Sequence, residues 1–100
     1  MENTHVLEVA IFKVKPEYAP DMPRLREDLR EALKGFPGVI EFCGYSPIDS
    51  DSYADIVKWD AHENALAAAE AFENGDPRFL PYMTAIEEIT FMGHFVPQRS

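Results

Sequence analysis

Four stretches of the chain combine β-branched and aromatic residues with an alternation of side chains between two sets, which is typical of β-strands. They are residues 5–15, 38–47, 53–60 and 87–97. Residues 24–36 show a different pattern, because Leu25, Leu29, Leu33 and Phe36 recur at spacings of four, four and three. This spacing predicts an amphipathic helix with its charged residues on a solvated face.

Two further segments complete the predicted elements. The alanine-rich stretch 61–74 predicts a second helix that ends at Gly75. Residues 76–88 begin with an Asp-Pro start signal, and Pro81 would interrupt a regular helix. We therefore expect one tight turn and then a short helix before the last strand.

The resulting order is β-α-β-β-α-β with an extra short helix before the last strand, which is the ferredoxin-like pattern of an α+β fold. All of residues 1–100 form one domain. The right-handed crossovers of this pattern place both helices on one face of a four-stranded antiparallel sheet with strand order 4-1-3-2.

Alternation divides the strand residues into two sets, one for each face of the sheet. The first set is almost wholly apolar, and we expect it to face the helices. It consists of Leu7, Val9, Ile11, Ile40, Phe42, Gly44, Ala54, Ile56, Ile89, Phe91, Gly93 and Phe95. The second set is mixed, and we expect it to face away from the helices. It consists of Glu8, Ala10, Phe12, Glu41, Cys43, Tyr45, Tyr53, Asp55, Val57, Trp59, Thr90, Met92 and His94.

The mixed set contains too many large apolar side chains for a face that is left in water. These side chains are Phe12, Tyr45, Val57, Trp59 and Met92. A second copy packed against the open sheet face would cover them, so we predict a homodimer formed through that face. A hollow between the sheets, with aromatic walls and a few polar groups, would suit a small hydrophobic ligand.

Composition narrows the possible partners. The chain has 18 acidic against 9 basic residues and a formal charge of −9, which argues against binding to nucleic acid or to an anionic membrane. The one cysteine, Cys43, provides neither a disulfide within the chain nor a thiolate zinc site. The sequence starts without a signal-peptide pattern and contains no apolar run long enough to span a membrane, so we expect a cytoplasmic protein.

His94 interrupts an apolar strand, and the predicted strand order brings it near two carboxylates. Glu8 and Asp55 share its face, and a carboxylate beside an imidazole orients the ring and raises its basicity. The three residues are therefore candidate catalytic groups. The alternative is a structural cluster that fixes the register of the dimer. We expect His94 to point away from the helices. A position packed beneath them would remove the catalytic hypothesis and leave the binding or structural one.

The stretches "YADIVKWDAHENALAAAEAF", "DPRFLPYM" and "FMGHF" resemble the dimeric α/β-barrel superfamily, which includes the antibiotic biosynthesis monooxygenase domain and heme-degrading monooxygenases. The chain is most similar to small members of unassigned function. The resemblance implies a barrel built from two sheets, with a cavity that Trp59 helps to line. Two departures are evident: Ala68 stands where monooxygenases often place a histidine, and the first strand lacks the asparagine of the heme-degraders.

Two functions remain open at this point. One is a cofactor-independent, monooxygenase-like enzyme acting on a small hydrophobic or aromatic substrate, with no metal site. The other is a non-catalytic module that binds a small molecule or only dimerises. The substrate contacts that the resemblance and the face assignment imply are Trp59, Tyr45, Phe12 and Met92.

Overall fold

The computed structural model describes residues 5–98 and confirms the predicted order of elements. The strands are β1 (Val6–Val14), β2 (Val39–Tyr45), β3 (Ser52–Trp59) and β4 (Ile86–Phe95). The helices are α1 (Met22–Leu33), α2 (His62–Glu73) and α3 (Leu80–Ala85). A 3₁₀ turn over Pro77–Phe79 precedes α3, as the two prolines of this segment predict.

The sheet is antiparallel with strand order β2-β3-β1-β4, as predicted. Its register decides which candidate residues share a face. Glu8 pairs with His94 across β1 and β4, and Ala10 pairs with Asp55 across β1 and β3. Directly paired residues project to the same side of a sheet, and so do alternate residues along a strand. Glu8, His94 and Asp55 therefore lie on one face.

The helices pack on that same face, and the core lies between them and the sheet. Helix α1 buries Leu25, Leu29 and Leu33 of the predicted stripe together with Met22, and Phe36 of that stripe lies beyond the end of the helix. Helix α2 contributes only small buried side chains, Ala65 and Ala68. The largest fully buried side chains are Trp59, Phe12 and Phe79.

The predicted assignment of the two faces is wrong for β1, β3 and most of β4. The mixed set faces the helices, including Glu8, Phe12, Asp55, Val57, Trp59, Met92 and His94. The apolar set forms the open face, including Leu7, Val9, Ile11, Ala54, Ile56, Phe91 and Phe95. The polar side chains of the mixed set can be buried beneath the helices because they have hydrogen-bond partners there. Among the described residues, no buried side-chain nitrogen or oxygen atom lacks a hydrogen-bond partner.

This inversion changes the predicted dimer surface. Phe12, Val57 and Trp59 are buried beneath the helices, and Met92 lies on the helix side of the edge strand β4. Only Tyr45 of the predicted patch lies on the open face, where it pairs with Ala54. The open face is nevertheless rich in apolar side chains, so a homodimer through this face stays a prediction with a different set of residues.

Within residues 5–98, none of the helices combines the length and the apolar character that a membrane span requires.

Candidate functional site

A cavity of about 80 Å³ lies between the sheet and the helices. The sheet lines it with Glu8, Ala10, Phe12, Phe42, Asp55, Val57, Ile86, Ile89 and Met92. The helices and the turn before α3 line it with Leu29, Leu33, Ala68, Ala69, Phe72, Phe79 and Tyr82. Almost all of this wall is apolar, and the two carboxylates and one phenol are its polar groups.

Glu8 is the polar group at one part of the cavity wall, and it is 8% exposed. The indole Nε1–H of Trp59 donates to its Oε1 at 3.2 Å. The Nε2 atom of His94 lies 3.2 Å from its Oε2. The three residues come from β1, β3 and β4, so the central strand holds the carboxylate and both neighbouring strands supply a partner.

Burial raises the pKa of Glu8 because the charged carboxylate loses its hydration. The hydrogen bond from Trp59 and the proximity of His94 offset part of this rise. A carboxyl group with a raised pKa is a better proton acceptor once it is ionised. The environment of Glu8 is therefore suited to acid–base chemistry.

Asp55 occupies a second polar cluster on the same wall. Its Oδ1 accepts from Arg26 Nη2 at 2.9 Å, and its Oδ2 accepts from the Tyr82 hydroxyl at 2.5 Å. Arg26 reaches the carboxylate across β2 next to Gly44, where an added Cβ would lie 2.5 Å from Arg26 Nε. The absence of a side chain at Gly44 thus makes room for this ion pair.

The Asp55 cluster is internally satisfied. Burial raises the pKa of Asp55, and the Tyr82 hydrogen bond and the Arg26 charge oppose that rise. Burial and the nearby Asp55 carboxylate raise the pKa of Tyr82 well above its ordinary value, so its hydroxyl stays protonated. Arg26 also donates to the Tyr45 carbonyl and the Ser46 hydroxyl. These contacts tie α1 and α3 to the β2–β3 hairpin, which indicates a structural role.

His94 lies on the helix side of the sheet, so the expectation that it points away from the helices is wrong. The face was misassigned because alternation alone does not say which set of side chains the helices cover. The contact expected between His94 and an acidic residue is present, and its partner is Glu8. The His94 ring lies 5.2 Å from the ring of His62 on α2, and it lines an open groove between α2 and β4.

The structure brings together most of the predicted site residues. Glu8, Asp55, Phe12 and Met92 line the cavity. The expectation that Trp59 lines it is wrong, because Trp59 is fully buried behind the cavity wall and only its indole N–H reaches the lining residue Glu8. Tyr45 is 55% exposed on the open face and lines neither the cavity nor the groove.

Sequence reasoning missed Arg26 and Tyr82. Arg26 was expected on the solvated face of α1, but its side chain is 11% exposed. It follows Met22 by four residues and precedes Leu29 by three, which places it at the edge of the apolar stripe. That spacing was the available signal. Tyr82 carried no comparable signal, because its partner Asp55 is 27 residues away.

Within residues 5–98 there is no group of three or more His, Cys, Asp or Glu side chains placed to hold a metal ion. The polar groups at the site are two carboxylates, an imidazole, an indole and a phenol.

Comparison with known proteins identifies the fold. No family model matches the sequence, and no curated protein matches it. Solved structures match over nearly the whole chain. A protein from Bordetella bronchiseptica, provisionally named an antibiotic biosynthesis monooxygenase, superposes with a TM-score of 0.76 at 14% identity, over 96% of this chain and 97% of the other. The chain has the fold of the antibiotic biosynthesis monooxygenase-like proteins.

Other structures with this monooxygenase-like fold are named for different functions. SnoaB from Streptomyces nogalater, named a cofactor-independent oxygenase, matches with a TM-score of 0.58 and 19% identity, over 95% of this chain and 92% of its own. The heme-degrading protein Rv3592 from Mycobacterium tuberculosis matches with a TM-score of 0.60 and 16% identity, over 96% and 91%. At these identities the likeness concerns the fold, which confirms the resemblance expected from the sequence at that level.

Proposed function

We propose that the protein binds a small hydrophobic, aromatic molecule in the cavity between sheet and helices, with Glu8 as its polar contact. The observation that carries this proposal is a buried carboxylate in the wall of an otherwise apolar cavity. Burial of an ionisable group is costly, and such groups concentrate at functional sites. The ring-sized apolar surfaces of Phe12, Phe72 and Phe79 suit an aromatic body.

Glu8 is the best candidate for proton transfer within this site. Asp55 is occupied on both oxygens by Arg26 and Tyr82. His94 lies on the helix side of the sheet, the position that removes the catalytic hypothesis built on this residue and leaves it a binding or structural role. Its Nε2 nevertheless contacts Glu8, and its ring borders the open groove. In the catalytic form of the proposal, Glu8 takes a proton from the ligand and His94 orients Glu8.

The monooxygenase-like fold makes oxygenation the leading reaction class. The balanced step begins when Glu8 removes a proton from a carbon acid. The resulting carbanion then gives its electron pair to dioxygen, which forms a carbon–oxygen bond. The peroxide anion takes one proton, so the sum is R–H plus O₂ giving R–OOH. The support for this class is the fold together with a carboxylate of raised pKa.

The second candidate is a non-catalytic binding module. It is favoured by the full hydrogen-bonding of Asp55 and Tyr82, and by Ala68 on the cavity wall, at the position where the monooxygenases often place a histidine. In this form Glu8 serves only to accept a hydrogen bond from the ligand.

Hydrogen–deuterium exchange of 2-indanone separates these two candidates. This neutral aromatic ketone has weakly acidic CH₂ groups, whose exchange with D₂O is followed by NMR. An enzyme should accelerate the exchange, and Glu8→Gln should lower the rate by about 100-fold or more, as for loss of a general base. The matched control Glu17→Gln changes an exposed acid of the turn before α1 and should keep the wild-type rate.

Binding is followed in the same samples through the indole N–H resonance of Trp59, the one tryptophan of the chain. A shifted resonance without accelerated exchange would leave the binding module as the function. Exchange that Glu8→Gln does not slow would remove Glu8 as the base. If no small aromatic molecule shifts the indole N–H resonance of Trp59, both candidate functions are overturned.

A further inference from the structure

The groove between α2 and β4 adjoins the cavity. The groove encloses about 590 Å³ and is lined by Leu66, Ala67 and His94 together with acidic residues of α2. Ala69 and Met92 line both the groove and the cavity. A molecule lying in the groove therefore contacts the same two side chains that bound the cavity, so the groove and the cavity are neighbours at Ala69 and Met92.

Acidic residues line both the groove and the cavity. Glu63, Glu70 and Glu73 line the groove, and Glu8 and Asp55 line the cavity. Among the described residues, neither lining includes a lysine or an arginine. Arg26, whose side chain is 11% exposed, is bound to Asp55 at 2.9 Å.

This arrangement discriminates against anions at two stages. Exposed glutamates repel an approaching carboxylate within a Debye length of about 8–10 Å at ordinary salt concentrations. Inside the cavity, a carboxylate would lose its hydration beside Glu8 without gaining a cationic partner. A hydroxyl or ammonium group also loses its hydration in the cavity, but it gains a partner there, because Glu8 accepts a hydrogen bond from either group.

We infer that the site selects neutral or cationic aromatic molecules with a hydroxyl, ammonium or acidic C–H group towards Glu8, admits them between α2 and β4, and excludes aromatic carboxylates. This inference rests on the proposed function, because it names the class of molecule that the same cavity takes. Glu70 and Glu73 are the residues of the groove that determine specificity for charge, and Glu8 is the residue of the cavity that contacts the ligand's donor group.

A series of three probes with one common ring tests the inference. Benzyl alcohol is neutral, benzylammonium is cationic and benzoate is anionic at pH 7, and all are titrated against the Trp59 indole N–H resonance. Because Trp59 Nε1–H donates to Glu8, this resonance reports directly on the acid of the cavity. We expect benzyl alcohol and benzylammonium to shift it with dissociation constants at least about tenfold below that of benzoate.

Two variants examine the groove. Glu70→Gln combined with Glu73→Gln should improve benzoate binding by about threefold to tenfold and weaken benzylammonium, since two nearby charges are removed. Glu17→Gln with Asp49→Asn gives the same change of net charge outside both linings and should alter neither affinity.

Ala69→Phe places a large side chain where the groove and the cavity meet. It should abolish the shift of the Trp59 resonance for every probe, while the far-ultraviolet circular dichroism stays native.

The outcomes separate this inference from the proposed function. Equal affinity for the three probes, or an equal effect of the two double variants, would overturn the charge selection while binding in the cavity stands. Full binding to Ala69→Phe would overturn the route between α2 and β4. Failure of all three probes to shift the Trp59 resonance would overturn the cavity as a binding site, and with it the proposed function.

Discussion

Trp59 and Glu8 are joined by a hydrogen bond of 3.2 Å between residues that lie 51 positions apart in the chain. Trp59 is fully buried, and Glu8 is the carboxylate whose pKa burial raises. The bond connects an acid of the cavity wall to a spectroscopic reporter that lies directly behind it.

Glu8→Gln should remove the cost in unfolding free energy that the buried, ionised carboxylate of Glu8 imposes. Because the folded-state pKa of Glu8 is raised, its contribution to stability is full below the unfolded pKa of about 4.3 and is lost as pH rises through the folded-state value. Glutamine cannot ionise, yet its carbonyl oxygen still accepts from Trp59. The variant should therefore have a higher free energy of unfolding than wild type at pH 8.

Urea unfolding at pH 4 and pH 8 checks this expectation. The difference between variant and wild type should nearly disappear at pH 4, where both carry an uncharged side chain. A variant that is less stable at pH 8 than wild type, and not at pH 4, would mean that the ionised carboxylate stabilises the fold.

Arg26→Ala should cost about 3 kcal/mol of unfolding free energy, because it leaves the buried Asp55 carboxylate without its cation. Arg24→Ala is the matched control on the same helix. Its ion pair with Asp28 is 65% exposed on both sides, so its loss should cost less than about 1 kcal/mol. Equal costs by urea unfolding would contradict the structural role of the Asp55 cluster.

The open face should carry a dimer contact, and sedimentation equilibrium should give about twice the mass of one chain at micromolar concentration. Phe91→Glu with Phe95→Glu places two charges on this face and should shift the protein to monomers while it stays folded. Ile48→Glu, at a loop residue that is 99% exposed, should leave the dimer unchanged. A wild-type monomer would contradict the prediction.

The element order and the strand order were predictable from the sequence, because the periods and the turn residues of this chain are local signals. The side of the sheet that faces the helices was not. Alternation puts Glu8 and Phe12 in one set and Val9 and Ile11 in the other, but it does not say which set the helices cover. The more apolar set lies on the open face.

The same limit applies to the site. The contact between His94 and Glu8 followed from the strand order, because it depends only on which strands are neighbours. The pairing of Arg26 with Asp55 did not, because it depends on how α1 lies across the sheet and on the gap at Gly44. Choosing the more apolar set of strand residues as the face beneath the helices was also misleading, since Glu8 and Asp55 are buried there and fully hydrogen-bonded.

The cavity on the helix side of the sheet is the proposed binding site. Intermolecular nuclear Overhauser effects between benzyl alcohol and the methyl groups of the protein locate the bound molecule. We expect contacts from the ligand ring to the methyls of Val57 and Ala68, which line the cavity. Contacts confined to Val9 and Ile56, on the open face, would contradict it.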